Sequence, residues 1–297
     1  LNTTKSPVPL LLPIILGIVA VSFSSIFIKW SEAPVSVQGM YRMFFTVLLM
    51  SPLLWKYRRQ LSGISKRNWL RLSLSGLFLA THFLFWMSSL RLTSVASSTI
   101  IMALEPLFVM VGAFFVFKEK AGTRASLSMA IAILGAVLIG WGDIGLSDKQ
   151  LLGDFLSLLG TVAVAIHMLL GQALLKEVPS SLYSLLVFLI AGCSFALYNA
   201  LTGTAMLGYP AREWGIFLLL AIVPTVFGHM VFNWLLKYVK ATTVSMSVLG
   251  EPVGATILAY LLLGEMIFPM QIVGGLLTIA GLQYFLRISH QSQPQTG

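Results

Sequence analysis

The feature that most constrains this chain is a stretch that occurs twice. Residues 90–119 read LRLTSVASSTIIMALEPLFVMVGAFFVFKE and residues 236–265 read LKYVKATTVSMSVLGEPVGATILAYLLLGE. Shifted by 146 residues without a gap, Glu105-Pro106 falls on Glu251-Pro252, Glu119 on Glu265 and Gly135 on Gly281. Each copy is a long apolar run interrupted near its middle by an acid and a proline. A carboxylate at the centre of a membrane helix costs roughly 2.5–3.5 kcal/mol even on the lenient insertion scale. A chain that incurs this cost twice, at equivalent places, has a reason to.

Membrane burial follows from composition. Hydrophobic residues make up 57% of the chain and charged residues only 10%, against about 25% charged in soluble domains. The apolar runs fit ten spans, at roughly 9–30, 36–54, 70–90, 96–117, 123–141, 155–175, 181–202, 214–236, 242–263 and 270–288, each close to the 20 helical residues that cross a bilayer. The first run lacks a small-residue cleavage site and reads as a retained span rather than a signal peptide. The expected fold class is an all-α integral membrane protein of ten transmembrane helices. Their connections are short and leave no room for an extramembrane domain.

The net charge of +9 lies in loops between the runs and not in a groove-lining patch, so topology explains it better than nucleic acid does. With the N-terminus inside, Lys29, Arg91, Lys149 and Arg212 face out and Arg42 lies within a span. The other 14 of the 19 Lys and Arg residues face in. The positive-inside rule therefore places both termini in the cytoplasm, and the Asn2-Thr3-Thr4 sequon away from the glycosylation machinery.

Five spans per half is an odd number, so the second half enters the membrane inverted relative to the first. The expected organisation is two inverted-topology five-helix repeats, residues 1–146 and 147–297, around a central cavity. Two shorter echoes agree with it. Gly17-Ile-Val-Ala-Val matches Gly160-Thr-Val-Ala-Val, and His82-Phe-Leu-Phe matches His229-Met-Val-Phe.

Candidate functional residues follow from depth and chemistry. Glu105 and Glu251 lie near the midplane, and the prolines after them remove a backbone donor and disturb the helix there. Two readings stand side by side for the pair: a mainly structural or gating role around a kink, or direct handling of substrate or proton. His82 and His229 occupy equivalent mid-depth places and His167 a similar one, either as hydrogen-bonded packing elements or as functional groups. Arg42, inside the second span, either snorkels outward or pairs with an acid or an anionic substrate group. Ser98 lies on the small-residue face of the fourth span. Trp86, Tyr41 and Asn233 are cavity candidates, with core packing or interface anchoring as the alternative for the aromatics. Small residues such as Gly250 and Gly254 point to close helix approach.

Several classes are excluded or disfavoured. No GxxxxGK[ST] allows ATP to drive the chain, and no GxSxG or HExxH motif supports hydrolysis. Cys193 is the single cysteine, and no His, Cys or carboxylate stands at metal-ligand spacing on these helices, so no metal or cofactor is expected.

With its ten spans, inverted repeat, and the strings SVASSTIIMALEP with Glu119 and ATTVSMSVLGEP with Glu265, the whole chain resembles the EamA-type exporters of the drug/metabolite transporter superfamily. The resemblance implies a non-enzymatic, multi-pass protein of the bacterial cytoplasmic membrane that exports a small-molecule substrate by alternating access. Spans 1–4 and 6–9 would surround the cavity, with spans five and ten bracing the side. It implies coupling or gating at Glu105, Pro106, Glu251 and Pro252, and recognition at variable cavity residues such as His82, Trp86, His167 and Asn233. Amino acids or their analogues are the favoured cargo, with protons as a candidate exchange partner, in a monomer or homodimer. The spans carry no cluster of Lys or Arg, which argues against phosphorylated sugars. A passive facilitator and a drug or lipid extruder are the alternatives.

Overall fold

The computed structural model describes residues 8–93, 95–139, 147–264 and 266–291, and among them there are helices and no strands. In order these are α1 (Leu11–Trp30), α2 (Val35–Leu61), α3 (Lys66–Leu92), α4 (Val95–Met102), α5 (Glu105–Phe117), α6 (Thr123–Ile139), α7 (Asp148–Leu174) and α8 (Ser180–Thr202). There follow α9 (Ala211–Leu220), a π-helical segment (Ala221–His229), α10 (Met230–Leu235), α11 (Ala241–Val248), α12 (Glu251–Leu263) and α13 (Pro269–Gln291). Glu265 lies outside the described residues.

Eight stretches are long and apolar enough to cross a membrane: α1, α3, Ser97–Phe117, α7, α8, Ala211–Leu235, Ala241–Leu263 and Pro269–Ile288. Large apolar side chains stand open on the outer faces, among them Leu48 at 66%, Phe115 at 67% and Leu276 at 65% exposure. Patches of this kind are untenable against water and natural against lipid. The protein is therefore an all-α, multi-pass membrane protein. The expected spans 36–54 and 123–141 coincide with α2 and α6. The first half of α2 carries Gln38, Tyr41 and Arg42, and α6 has only 17 residues, so neither qualifies by length and composition.

Local chemistry sets the helix ends. Ser65 and Ser147 cap α3 and α7 through their side chains, the second as a full capping box with Gln150. α8 and α12 end on Gly203 and Gly264 at φ 68° and 70°, where glycine adopts the left-handed region without strain. α5 ends on Lys118 at φ 58°, the single non-glycine residue with positive φ among those described.

The fourth and ninth expected spans are each broken in two. Eight residues (α4) are followed by thirteen (α5), and eight (α11) by thirteen (α12); each boundary recurs after 146 residues. The sequence led us to expect a disturbed helix at each Glu-Pro pair, with backbone carbonyls freed by the proline as at broken-helix sites. The structure ends one helix and starts another, with Glu105 and Glu251 in the first turn of the new helix and the proline beside them, where its missing N–H is no loss.

Packing separates the helices into two groups. α3 lies along α7 and α8, α2 along α8, α1 along the π segment and α12, and α4 and α5 against α7. A large apolar core fills these contacts. α6 and α13 pack chiefly on each other. There a Cβ on Gly135 would come within 2.5 Å of the Thr278 amide nitrogen, and one on Gly274 within 2.5 Å of the Gly135 carbonyl. These glycines let two backbones touch, as small residues do in membrane helix pairs. A smaller core of Met129, Ala132, Ala136, Leu282 and Phe285 joins this pair to Ala103 and Leu249 at the two helix breaks.

Candidate functional site

The two breaks flank a central cavity. Its polar lining comes from Ser24 on α1, His82 and Trp86 on α3, Glu105 at the start of α5, His229 at the end of the π segment and Glu251 at the start of α12. Val21, Met102, Val164, Met168, Phe232 and Val248 form its apolar walls. The cavity is narrow, with room for about one or two water molecules. A second crevice runs between the breaks themselves, lined by Thr99, Met102 and Ala103 on one side and Ser245, Leu249 and Pro252 on the other. Glu251 borders both.

Close helix approach brings these residues together. A Cβ on Gly17 would lie 2.6 Å from the Phe232 ring, and one on Gly160 3.2 Å from the His82 carbonyl oxygen. The matched glycines of α1 and α7 thus seat α10 and α3 against the cavity. Gly250 and Gly254 let α12 meet Ile18 and Ser22 of α1, and the Ser22 hydroxyl reaches the Glu251 carbonyl at 3.4 Å.

His82 shares a 3.0 Å hydrogen bond between Nδ1 and the Gly160 carbonyl, and its ring lies parallel to that of Trp86 at 6.0 Å between centroids. Phe83 stands edge-on to His229 at 5.0 Å, so the histidine pair matched in the sequence meets at one site. Arg42 does not snorkel. It is fully buried, donates from Nε to Thr225 Oγ1 at 2.6 Å and from Nη1 to Ser24 Oγ at 3.2 Å, and stacks 4.1 Å over the Phe83 ring. Thr225 accepts this bond from within the π segment, a local widening of the helix that accompanies Pro224. No carboxylate among the described residues lies within ion-pair distance of Arg42, although Glu251 interacts with it electrostatically at longer range. Seven buried side-chain polar atoms among the described residues lack a hydrogen-bond partner, and Arg42 Nη2, Trp86 Nε1 and Glu105 Oε1 are three of them. Each such group costs roughly 1–3 kcal/mol.

The remaining candidates do not line the cavity. His167 Nδ1 meets the Ser75 hydroxyl at 2.9 Å and its carbonyl at 3.1 Å, and Tyr183 joins the same hydroxyl. Asn233 donates to Ser184 Oγ at 3.3 Å. These buried bonds tie α3 to α7 and α8, and α8 to α10. Ser98 bonds Ser89 at 2.7 Å and Ser157 at 3.3 Å. Tyr41 donates to the Met206 carbonyl at 2.8 Å and stacks on Phe217 at 5.2 Å, in an aromatic group at one end of the bundle. Pro106 and Pro252 are buried beside the breaks.

Polar clamps tie the halves together at both ends of the bundle, and sequence reading missed them. At the end carrying the α1–α2 connection, the Glu213 carboxylate is buried. It accepts the Ser31 hydroxyl and, at 3.0 Å, the Glu32 backbone N–H. Arg91 donates to the Ser31 carbonyl at 2.7 Å and Arg212 to the Trp30 carbonyl at 3.0 Å. At the opposite end, Gln172 donates to Glu119 at 3.0 Å while its oxygen accepts the Ala241 N–H at 2.6 Å, and Lys240 approaches Glu119 at 3.3 Å. Both clamps tie residues of the first half to residues of the second. An acid near a span end is ordinary in a membrane protein, so nothing in the sequence marked Glu213.

Comparisons with known proteins agree with this architecture. A solved structure described as "Crystal structure of protein" superposes with a TM-score of 0.78 over 95% of this chain and 98% of its own, at 15% identity, which is a likeness of fold alone. An "Uncharacterized transporter" of Archaeoglobus fulgidus is 27% identical over 257 residues, 84% of this chain and 88% of its own. The "Uncharacterized transporter YyaM" of Bacillus subtilis is 24% identical over 199 residues, 65% of each chain. The pattern of one family matches twice, over residues 9–141 and 151–287. Its members and these relatives are transporters rather than enzymes, and the chain belongs to the EamA-like transporter family.

Proposed function

We propose that the protein is a secondary transporter that exports a small organic metabolite across the bacterial cytoplasmic membrane by alternating access. Its ten spans form two inverted five-helix repeats, residues 1–146 and 147–297, with both termini cytoplasmic. Amino acids or their analogues are the favoured cargo.

One observation carries the reading. The two helix breaks recur at a spacing of 146 residues and flank a narrow cavity, while hydrogen bonds tie the halves together at each end of the bundle. The packing supports the symmetry. Exchanging the halves turns the α3–α7 contact into that of α1 with the π segment, and the α4–α7 contact into that of α1 with α11 and α12. The α2–α8 and α6–α13 contacts map onto themselves. A narrow site with the halves tied on both sides of it suits a carrier that releases one clamp at a time better than a permanently open facilitator. Short half-helices meeting near the midplane are the hinges this motion needs. Glu105 and Glu251, with Pro106 and Pro252, serve as coupling or hinge groups, and α6 and α13 brace the halves from the side.

Proteoliposomes loaded with labelled amino acids, with and without an imposed pH gradient, test the proposal. Uptake or efflux is expected to saturate and to show counterflow. Unchanged transport by the Glu105→Gln, Glu251→Gln double variant would remove both acids from the mechanism.

A further inference from the structure

We infer that the cavity between the two helix breaks binds a single small monovalent cation of sodium size, held by Glu105 and Glu251 and by the carbonyls that end α4 and α11. The site stands on geometry and charge; its use in transport rests on the transporter reading above.

Oxygen atoms are concentrated at the breaks. The last carbonyls of a helix have no donor within it. Turns at the breaks engage those of Thr99, Ile100 and Ile101 in the first half and of Met246 and Ser247 in the second. The final ones, of Met102 and Val248, have Pro106 and Pro252 four residues on, where no N–H exists to meet them. Both residues line the cavity together with Glu105 and Glu251. Glu105 is 1% exposed and its Oε1 has no hydrogen-bond partner, so an acceptor stands where bulk water does not reach. Carbonyls at the ends of broken membrane helices coordinate sodium, and carboxylates suit hard cations.

The duplication sets matching positions on either side. The crevice adjoining the cavity is lined by Thr99 and Ser245, Met102 and Val248, and Ala103 and Leu249, and the members of each pair are 146 residues apart. Equivalent residues of the two halves thus share one crevice, with Glu251 bordering both it and the cavity.

Charge and size select the ion. Arg42 is buried and interacts with Glu251 at longer range. With His82 and His229 as uncharged rings, two acids against one arginine leave one negative charge without a counter-charge, which is costly in a buried setting. One monovalent cation balances it. Among the described residues no three His, Cys, Asp or Glu gather as metal ligands, so calcium, which calls for more carboxylates, is poorly served. Room for about one or two waters admits an ion stripped of most of its hydration and excludes bulky organic cations. A cation between the carboxylates also relieves their repulsion and holds the two breaks together; its loss frees α5 and α12 to separate.

Thermal unfolding and radioactive-sodium binding test this on the full chain in detergent, at mildly alkaline pH and constant ionic strength with choline replacing sodium. Sodium is expected to raise the unfolding midpoint saturably and to bind at about one ion per chain, with potassium about tenfold weaker or more. Glu105→Gln should weaken sodium binding about tenfold or more. Identical midpoints in sodium, potassium and choline overturn the inference; a response to pH alone, which would give the site to a proton, overturns it as well. The ion series on the unmodified protein decides if Glu105→Gln does not fold. Sodium binding without any transport in proteoliposomes would refute the transporter reading and leave the site standing, and transport indifferent to a sodium gradient would overturn its coupling role.

Discussion

Replacing Glu213 by glutamine tests the clamp that joins α9 to the α1–α2 connection. The carboxylate accepts two bonds, from the Ser31 hydroxyl and from the Glu32 backbone N–H. Glutamine keeps the shape and one acceptor, but turns the other position into a donor facing a donor. Hydrogen bonds to ionised groups contribute about 1.5–3 kcal/mol each. The Ser31 hydroxyl can rotate to accept, so the net loss falls near 2 kcal/mol. At 1.4 kcal/mol per factor of ten, that loss shifts the closed-to-open ratio roughly 30-fold. The reporter is a cysteine at Val21, on the cavity wall and 2% exposed, in a Cys193→Ser background, because Cys193 is itself exposed. A membrane-impermeant thiol reagent added from the Glu213 side should label Val21→Cys up to about 30-fold faster in the Glu213→Gln protein. Ser31→Ala, which removes one bond and leaves the carboxylate, should accelerate labelling less. An unchanged rate in a folded Glu213→Gln protein would show that this clamp does not hold the cavity closed.

At the opposite end, Gln172→Ala removes both the Glu119 bond and the one to the Ala241 N–H that begins α11. A loss of about 2 kcal/mol in detergent unfolding is expected. Lys240→Ala should cost about 0–1 kcal/mol, because the lysine side chain is half exposed and such pairs are weak. Gly274→Ala drives a methyl group onto the Gly135 carbonyl, and backbone cannot step aside as a side chain can. Unfolding titrations should record a loss of about 1–3 kcal/mol, with ligand affinity unchanged if α6 and α13 only brace.

The parts of the site legible in the sequence were those carrying a cost that duplication repeated. Glu105 and Glu251 stood out as acids at mid-depth, and His82 and His229 as matched ionisable groups; all four line the cavity. Residues without a counterpart were ambiguous. His167 and Asn233 looked equally placed for a cavity, yet their partners are Ser75 and Ser184 in buried contacts between helices. The fate of Arg42 depended on the rotation of α2 about its axis. The mixed apolar and polar residues of that helix do not set this rotation; Thr225 and Phe83 do. Pro224 was the one local signal for the π segment, but a proline in an apolar run announces a disturbance and not its form.

The sequence by itself determined that the chain lives in a membrane, that it is helical, and where the costly residues recur. These properties follow from composition, run length and spacing, which need no partner to read. The tertiary structure alone decided that the Glu-Pro pairs begin new helices and that Arg42 is buried against Phe83. It also decided that Glu213 and Gln172 clasp one half of the chain to the other. The reason is physical: within a bilayer the apolar surface of a helix is at ease against lipid or protein alike, so hydropathy does not select neighbours. Shape at the glycines and the few available hydrogen bonds make that selection, and both exist only once two helices meet.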